Sequence, residues 1–198
     1  MASPTNFCPS CKLQRDVFGA FGSCLLCDAQ SARVNLAHNF AIKAHGEQRY
    51  GDRPYVYHLN AVCHVAYQAG LGSTPVAVAA YLHDTIEDTA TTQDDVCNAF
   101  GSFVAELVWA VTGTGPTRAD RLASACIKII EFGESAVNLK LCDRIANVEE
   151  SARTSPRLFA MYCGEANYLR TVFHGYGLES LWHRLDRAYA SQGGSHGH

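Results

Sequence analysis

Val76-Ala77-Val78-Ala79-Ala80-Tyr81-Leu82-His83-Asp84-Thr85-Ile86-Glu87-Asp88-Thr89 is the stretch on which the reading turns. Its first half is apolar enough to be buried on most sides. Its second half packs one histidine and three carboxylates into six positions. Thr74 caps the segment and Pro75 takes its first helical position, so a helix is expected to run from Pro75 into His83 and beyond. At helical spacing His83 and Glu87 share one face, and Asp84 and Asp88 share a neighbouring one. Like charges gathered at the end of a buried helix are costly unless a cation neutralises them.

A His-Asp pair supplies one nitrogen and one oxygen ligand, which suits manganese, iron or zinc but cannot close a site alone. Two further candidates stand at compatible places. His58 opens a helix after Pro54-Tyr55-Val56-Tyr57, and Asp143 lies in the amphipathic run 139–148. Taken singly, His83-Asp84 is a solvated helix end, His58 a helix cap and Asp143 a core aspartate beside Arg144. Taken together they point to a metal site.

Around this core the chain reads as all-α. Helices are expected from about residue 30 to Gly46, with Leu36, Phe40 and Ala44 as the inward face, from His58 to about Gly70, and over 92–100 and 102–111. Four more follow over 118–132, 134–152, 156–175 and 178–190, the last with Leu178, Leu181, Trp182 and Leu185 as its apolar stripe. The stretch 50–57, with Gly51 and Pro54, and the Gly-rich 112–116 read as loops. No convincing alternating strand, glycine-rich nucleotide fingerprint or internal repeat is found.

The chain divides into a module at 1–29, a main domain at 30–192 and a solvated, disordered tail at 193–198. Cys8-x-x-Cys11 and Cys24-x-x-Cys27, twelve residues apart, can bind one tetrahedral zinc as a ribbon-like module, with redox pairs or disulfides as the alternative. Such a module could brace the first helix, dimerise the protein or bind a partner. The remaining five of the nine cysteines sit singly in helical segments, as small buried side chains.

At 198 residues, 47% hydrophobic and 18% charged, the chain is sized for one core and an appendage. A net charge of −3 provides no global positive field for nucleic acid or an anionic membrane, so a polyanionic ligand must be met by a local cation cluster or a metal. No apolar run is of membrane-spanning length and the first residues are not a secretory signal, which makes a cytoplasmic location the expectation.

Four ordered blocks carry a family resemblance: 43–58, with Lys43-Ala-His-Gly-Glu-Gln-Arg49; 80–89; 100–112; and Leu139-Lys-Leu-Cys-Asp-Arg-Ile-Ala-Asn147. Over about residues 30–190 the chain resembles the RelA/SpoT-type hydrolase domain of the alarmone synthetase/hydrolases, and in size their single-domain relatives, the small alarmone hydrolases. The resemblance implies an HD-domain helical bundle in which His58, His83, Asp84 and Asp143 hold one divalent ion, usually manganese. It implies that Glu87 and Asp88 position and deprotonate a water. It further implies that Arg49 and Asn147 contact the nucleotide, with Tyr162 near it.

The activity implied is hydrolysis of the ribose 3′-diphosphate of (p)ppGpp-type alarmones of the stringent response, or of (p)ppApp, with release of pyrophosphate. It could serve as an antitoxin to an alarmone synthetase, with a toxin or a second copy as partner. Departures from the family pattern fall at Tyr50, where a basic residue is common, at Leu59, which replaces a proline, and at Ala146, Glu149 and Glu150. They leave guanine or adenine preference open. The other readings are a general HD nucleotidase or phosphodiesterase, and a non-catalytic zinc-finger binding or antitoxin module.

Overall fold

The computed structural model describes residues 25–191, with side chains from residue 29. Cys8, Cys11 and Cys24 lie outside the described residues, as does the 193–198 tail, and of Cys27 only the backbone is described. In chain order the elements are α1 Leu25–His45, β1 Arg49–Tyr50, β2 Arg53–Pro54, α2 Val56–Gln68, α3 Pro75–Leu82, α4 Thr85–Asp88, α5 Gln93–Phe100, α6 Ser102–Val111, α7 Arg118–Phe132, α8 Glu134–Thr154, α9 Pro156–Val172 and α10 Glu179–Ala190.

Two helices form the middle of the bundle. α3 packs against α1, α2 and α6, and α8 packs against α2, α3, α6, α7, α9 and α10. Val76 through Ala80 and Leu82 are all buried. The small side chains of α3 let its neighbours approach closely, and the leucines and isoleucine of α8 (Leu139, Leu141, Ile145) fill the space between them. Tyr81 alone in this run stays half-buried, its hydroxyl donating to Asn60 Oδ1 at 3.0 Å.

The helix limits have local causes. Thr74 Oγ1 accepts from Val76 N–H ahead of Pro75 in α3. Thr92 and Thr117 each form a capping box with the aspartate three positions on, Asp95 and Asp120, which opens α5 and α7. Gly101 and Gly133 stand at φ +88° and +98°, a region other residues avoid, and so each ends one helix and starts the next with no linker.

Four expectations are corrected. α1 reaches back to Leu25, and its buried stripe is Val34, Ala37, Ala41 and His45, while Leu36 is 61% exposed and Phe40 only partly covered. Residues 49–54 form a two-stranded hairpin with Arg49 paired to Pro54, so the domain is not purely helical. The helix of α3 does not continue through His83. Among the described residues the thiols of Cys63, Cys97, Cys126, Cys142 and Cys163 are free, with Cys97 half-buried and Cys163 exposed where all five were expected to be buried. No helix of the described residues is long and apolar enough to cross a membrane.

Candidate metal centre

The break after Leu82 is made by side chains that compete with the helix for its carbonyls. Thr85 Oγ1 donates to Leu82 O at 2.7 Å and His83 Nδ1 to Ala80 O at 3.0 Å. Asp84 is left at φ −98°, ψ −5° between α3 and α4. A carbonyl only accepts, so Nδ1 of His83 carries the hydrogen and Nε2 is the face turned inward.

His58 comes from the first turn of α2 and Asp143 from the middle of α8. His83 Nε2 lies 2.9 Å from Asp84 Oδ2 and 3.7 Å from Asp143 Oδ1, and His58 Nε2 lies 3.6 and 3.4 Å from the same two oxygens. The ligand atoms of His58, His83 and Asp84 all fall within 4.8 Å of one another. His83 Nε2 is buried and makes no hydrogen bond despite its near carboxylate, so the two atoms face a common point rather than each other. Donors about 2.1 Å from one shared ion sit roughly 3.0–3.5 Å apart, so the donor set fits a divalent cation in both spacing and chemistry. Between the groups themselves, burial opposes a charge on His83 but the Asp84 carboxylate raises its pKa to about 10, and the two histidines draw the Asp84 carboxyl well below its usual range against the same burial.

A second ring of residues holds this group. Tyr55 OH donates to Asp84 Oδ2 at 2.6 Å, its own ring stacked 4.4 Å from His45. Lys140 Nζ pairs with Asp143 Oδ2 at 2.9 Å and leaves Oδ1 toward the histidines. Asn147 Nδ2 donates to both the backbone and side-chain oxygens of Asp143, while its Oδ1 accepts from Tyr50 OH at 2.9 Å. The Tyr50 ring in turn stacks 4.8 Å from His58. Arg144, expected beside Asp143, is buried against Glu165 at 2.6 Å.

Asp88 N–H still bonds the Asp84 carbonyl at 2.9 Å, one helical turn back, but the side chains of Glu87 and Asp88 take partners of their own rather than joining the His-Asp group. Glu87 accepts from Gly113 N–H at 2.7 Å and lies 3.6 Å from Arg121 Nε. Asp88 accepts from Gln48 Nε2 at 3.0 Å, and Gln48 is held by His45 Nδ1 at 2.7 Å. Arg49 donates to the Asp52 carbonyl within the hairpin turn. Tyr162 is covered by the guanidinium groups of Arg118 and Arg144, at 5.3 and 4.8 Å from its ring.

Two cavities flank the centre. One, of about 80 Å³, is lined by Glu87, Arg118, Arg121, Lys140 and Arg144 and is strongly cationic. The other, of about 330 Å³, is lined by Tyr50, Tyr57, His58, Ala146, Glu150 and Arg153 among others. Sequence reasoning missed Tyr55, Lys140, Gln48 and the arginines of the smaller cavity. Lys140 and Arg144, one helical turn apart and flanking Asp143, carried the signal that could have found part of this set.

A helical domain organised around a buried His-Asp group is the class defined by the HD domain model, which matches residues 37–124. Human MESH1, a guanosine-3′,5′-bis(diphosphate) 3′-pyrophosphohydrolase, is 34% identical over 134 residues, covering 65% of this chain and 74% of that protein. The enzyme of the same name from Aquifex aeolicus is 36% identical over 122 residues, 59% of this chain but 17% of that much longer protein. A solved structure of a metazoan ortholog of SpoT, reported to hydrolyse ppGpp, superposes with a TM-score of 0.72 at 24% identity, over 82% of this chain and 96% of that one, and shows the same fold. The chain belongs to the HD-domain family of MESH1-type 3′-pyrophosphohydrolases.

Proposed function

We propose that the protein is a metal-dependent hydrolase that removes the 3′-diphosphate of (p)ppGpp as pyrophosphate. The observation that carries the proposal is the convergence of His58, His83 and Asp84, with Asp143 facing them, on one buried point that a cation fits. A divalent ion held there, manganese by the family resemblance, would neutralise phosphate charge and make water acidic enough to ionise near neutral pH.

The chain's own residues supply the rest. Glu87 and Asp88, positioned by Gly113 N–H and Gln48 Nε2, take the proton from the attacking water. The water oxygen bonds to the phosphorus carried on the ribose 3′ oxygen, the bond from that phosphorus to the 3′ oxygen breaks as the 3′ oxygen receives the proton taken from the water, and the products are pyrophosphate and the 3′-hydroxyl nucleotide. Arg118, Arg121, Lys140 and Arg144 place a positive field beside the centre for the developing charge on pyrophosphate. Arg49, Asn147 and Tyr162 are assigned to the nucleotide, with Asn147 also steadying Asp143.

In the same reading residues 30–192 are the catalytic domain and Cys8, Cys11, Cys24 and Cys27 hold a structural zinc, which the Cys-x-x-Cys spacing supports; elemental analysis of the full chain against C8S/C11S would show one zinc lost. The activity is tested by incubating purified protein and ppGpp with and without manganese. Metal-dependent release of pyrophosphate is expected. A metal-loaded protein that released none would overturn the reading.

A further inference from the structure

Glu87 and Asp88 are held in unequal ways. Glu87 has Gly113 N–H on Oε2 at 2.7 Å and Arg121 near Oε1 at 3.6 Å, so both of its oxygens face donors. Asp88 has Gln48 Nε2 on Oδ2 at 3.0 Å, and its Oδ1 accepts from no described residue. Because Asp88 is exposed, this one contact is what keeps its carboxylate from turning in solvent, and it leaves Oδ1 for a water.

Gln48 is itself fixed at three points. Its N–H donates to the His45 carbonyl at 2.9 Å, its carbonyl accepts from Tyr55 N–H at 3.0 Å, and its side-chain oxygen accepts from His45 Nδ1 at 2.7 Å. An amide oxygen only accepts, so the hydrogen of His45 is on Nδ1. His45 Nε2 agrees: it is buried with no partner, where an N–H would be an unpaired donor. Turning the amide over would set its oxygen against the Asp88 carboxylate, so Nε2 is the end that faces Asp88. The His45 ring also stacks on Tyr55, whose hydroxyl donates to Asp84, so one buried ring stands behind both partners of the centre.

We infer that Gln48 is a positioning residue for the reaction, holding Asp88 so that Oδ1 meets the attacking water, and that the Nδ1 tautomer of His45 sets the direction in which Gln48 donates. The inference rests on the activity proposed above. Gln48 acts through Asp88, and His45 acts through Gln48. A proton acceptor held out of place slows the chemical step and leaves substrate binding intact.

Two measurements on the full chain test it. Nitrogen-15 NMR of the histidine-labelled, metal-free protein reads the tautomer without any activity. His45 should carry its hydrogen on Nδ1, and Gln48→Leu, which removes the acceptor, should abolish that preference. A hydrogen on Nε2 in the unaltered protein, or a tautomer indifferent to Gln48→Leu, would overturn the inference. The second measurement is steady-state pyrophosphate release from ppGpp by manganese-loaded protein. Gln48→Glu keeps the size of the side chain and its acceptor for His45 but turns an oxygen toward Asp88. Its kcat should fall about 10- to 100-fold, with KM within about twofold and metal content unchanged. Added to Asp88→Asn, the same change should cost less than about twofold more, since the proton acceptor is already gone. An equal loss in both backgrounds, or a raised KM with kcat intact, would show Gln48 acting on something other than Asp88 and overturn the inference. Slow turnover in Asp88→Asn beside normal turnover in Gln48→Glu would strike the inference alone. No turnover in the unaltered protein, or normal turnover in Asp88→Asn, would strike the catalytic reading and the inference with it.

Discussion

Asp84 has three near neighbours with different demands on it: His83 at 2.9 Å, His58 at 3.6 Å and the Tyr55 hydroxyl at 2.6 Å. Replacing it with alanine should remove both metal and turnover, because a ligand is lost. Tyr55→Phe is subtler. It takes one hydrogen bond from a ligand carboxylate, and outer partners of this kind change metal affinity by about 10- to 100-fold. Metal titration should show the weakened affinity, and thermal melting of the metal-free protein should show little change. Glu87→Gln and Asp88→Asn carry the opposite expectation: metal content near normal and turnover slowed by about 10²–10⁴. If either variant instead emerged without metal, that residue would be a ligand and its assigned role would be wrong.

Between elements, Glu165 ties α9 to two other helices, accepting from Arg118 Nε at 2.7 Å on α7 and Arg144 Nη1 at 2.6 Å on α8. Burial opposes its charge, but the two guanidinium groups overcome that and hold the carboxyl below its ordinary value. The folded value is therefore lower than the unfolded one, so the stabilisation is complete above the ordinary carboxylate range and fades as pH falls through the folded value. Glu165→Ala should cost about 3–5 kcal/mol near neutrality, since Arg144 is left buried and unpaired, and denaturant melts should show that difference shrinking in acid. A cost independent of pH would mean that packing, not charge, joins these helices. Thr117→Ala removes a side chain that takes the Asp120 N–H, with an expected loss of about 1 kcal/mol.

For the molecule as a whole, the metal centre joins α2, α3, α4 and α8 at one point, so loading should stabilise the entire bundle rather than one segment. At a metal concentration about 100 times the dissociation constant, the gain should be roughly 2.7 kcal/mol, visible as a higher melting temperature that a chelator reverses. A melting temperature indifferent to metal would mean that the ion does not bind the folded state preferentially. Away from the centre, Leu139→Ala on α8 removes a fully buried side chain and should cost about 2–5 kcal/mol whether metal is bound or not.

The sequence by itself determined the helix inventory, the starts of α3, α5 and α7, and the His-Asp group as a candidate metal site. Each of these rests on local chemistry: the 3.6-residue period, a threonine cap, a glycine stop, or donor types that suit one ion. It misjudged the face of α1 because Leu36 and Phe40 repeat as regularly as Val34, Ala37 and Ala41, and only the partner helices decide which stripe is covered. It carried α3 through His83 because helical spacing cannot show that Thr85 and His83 take the carbonyls the helix needs. Tertiary structure alone brought Tyr55 to Asp84 and Gln48 to Asp88, 29 and 40 positions away, because these contacts are made between elements rather than along the chain.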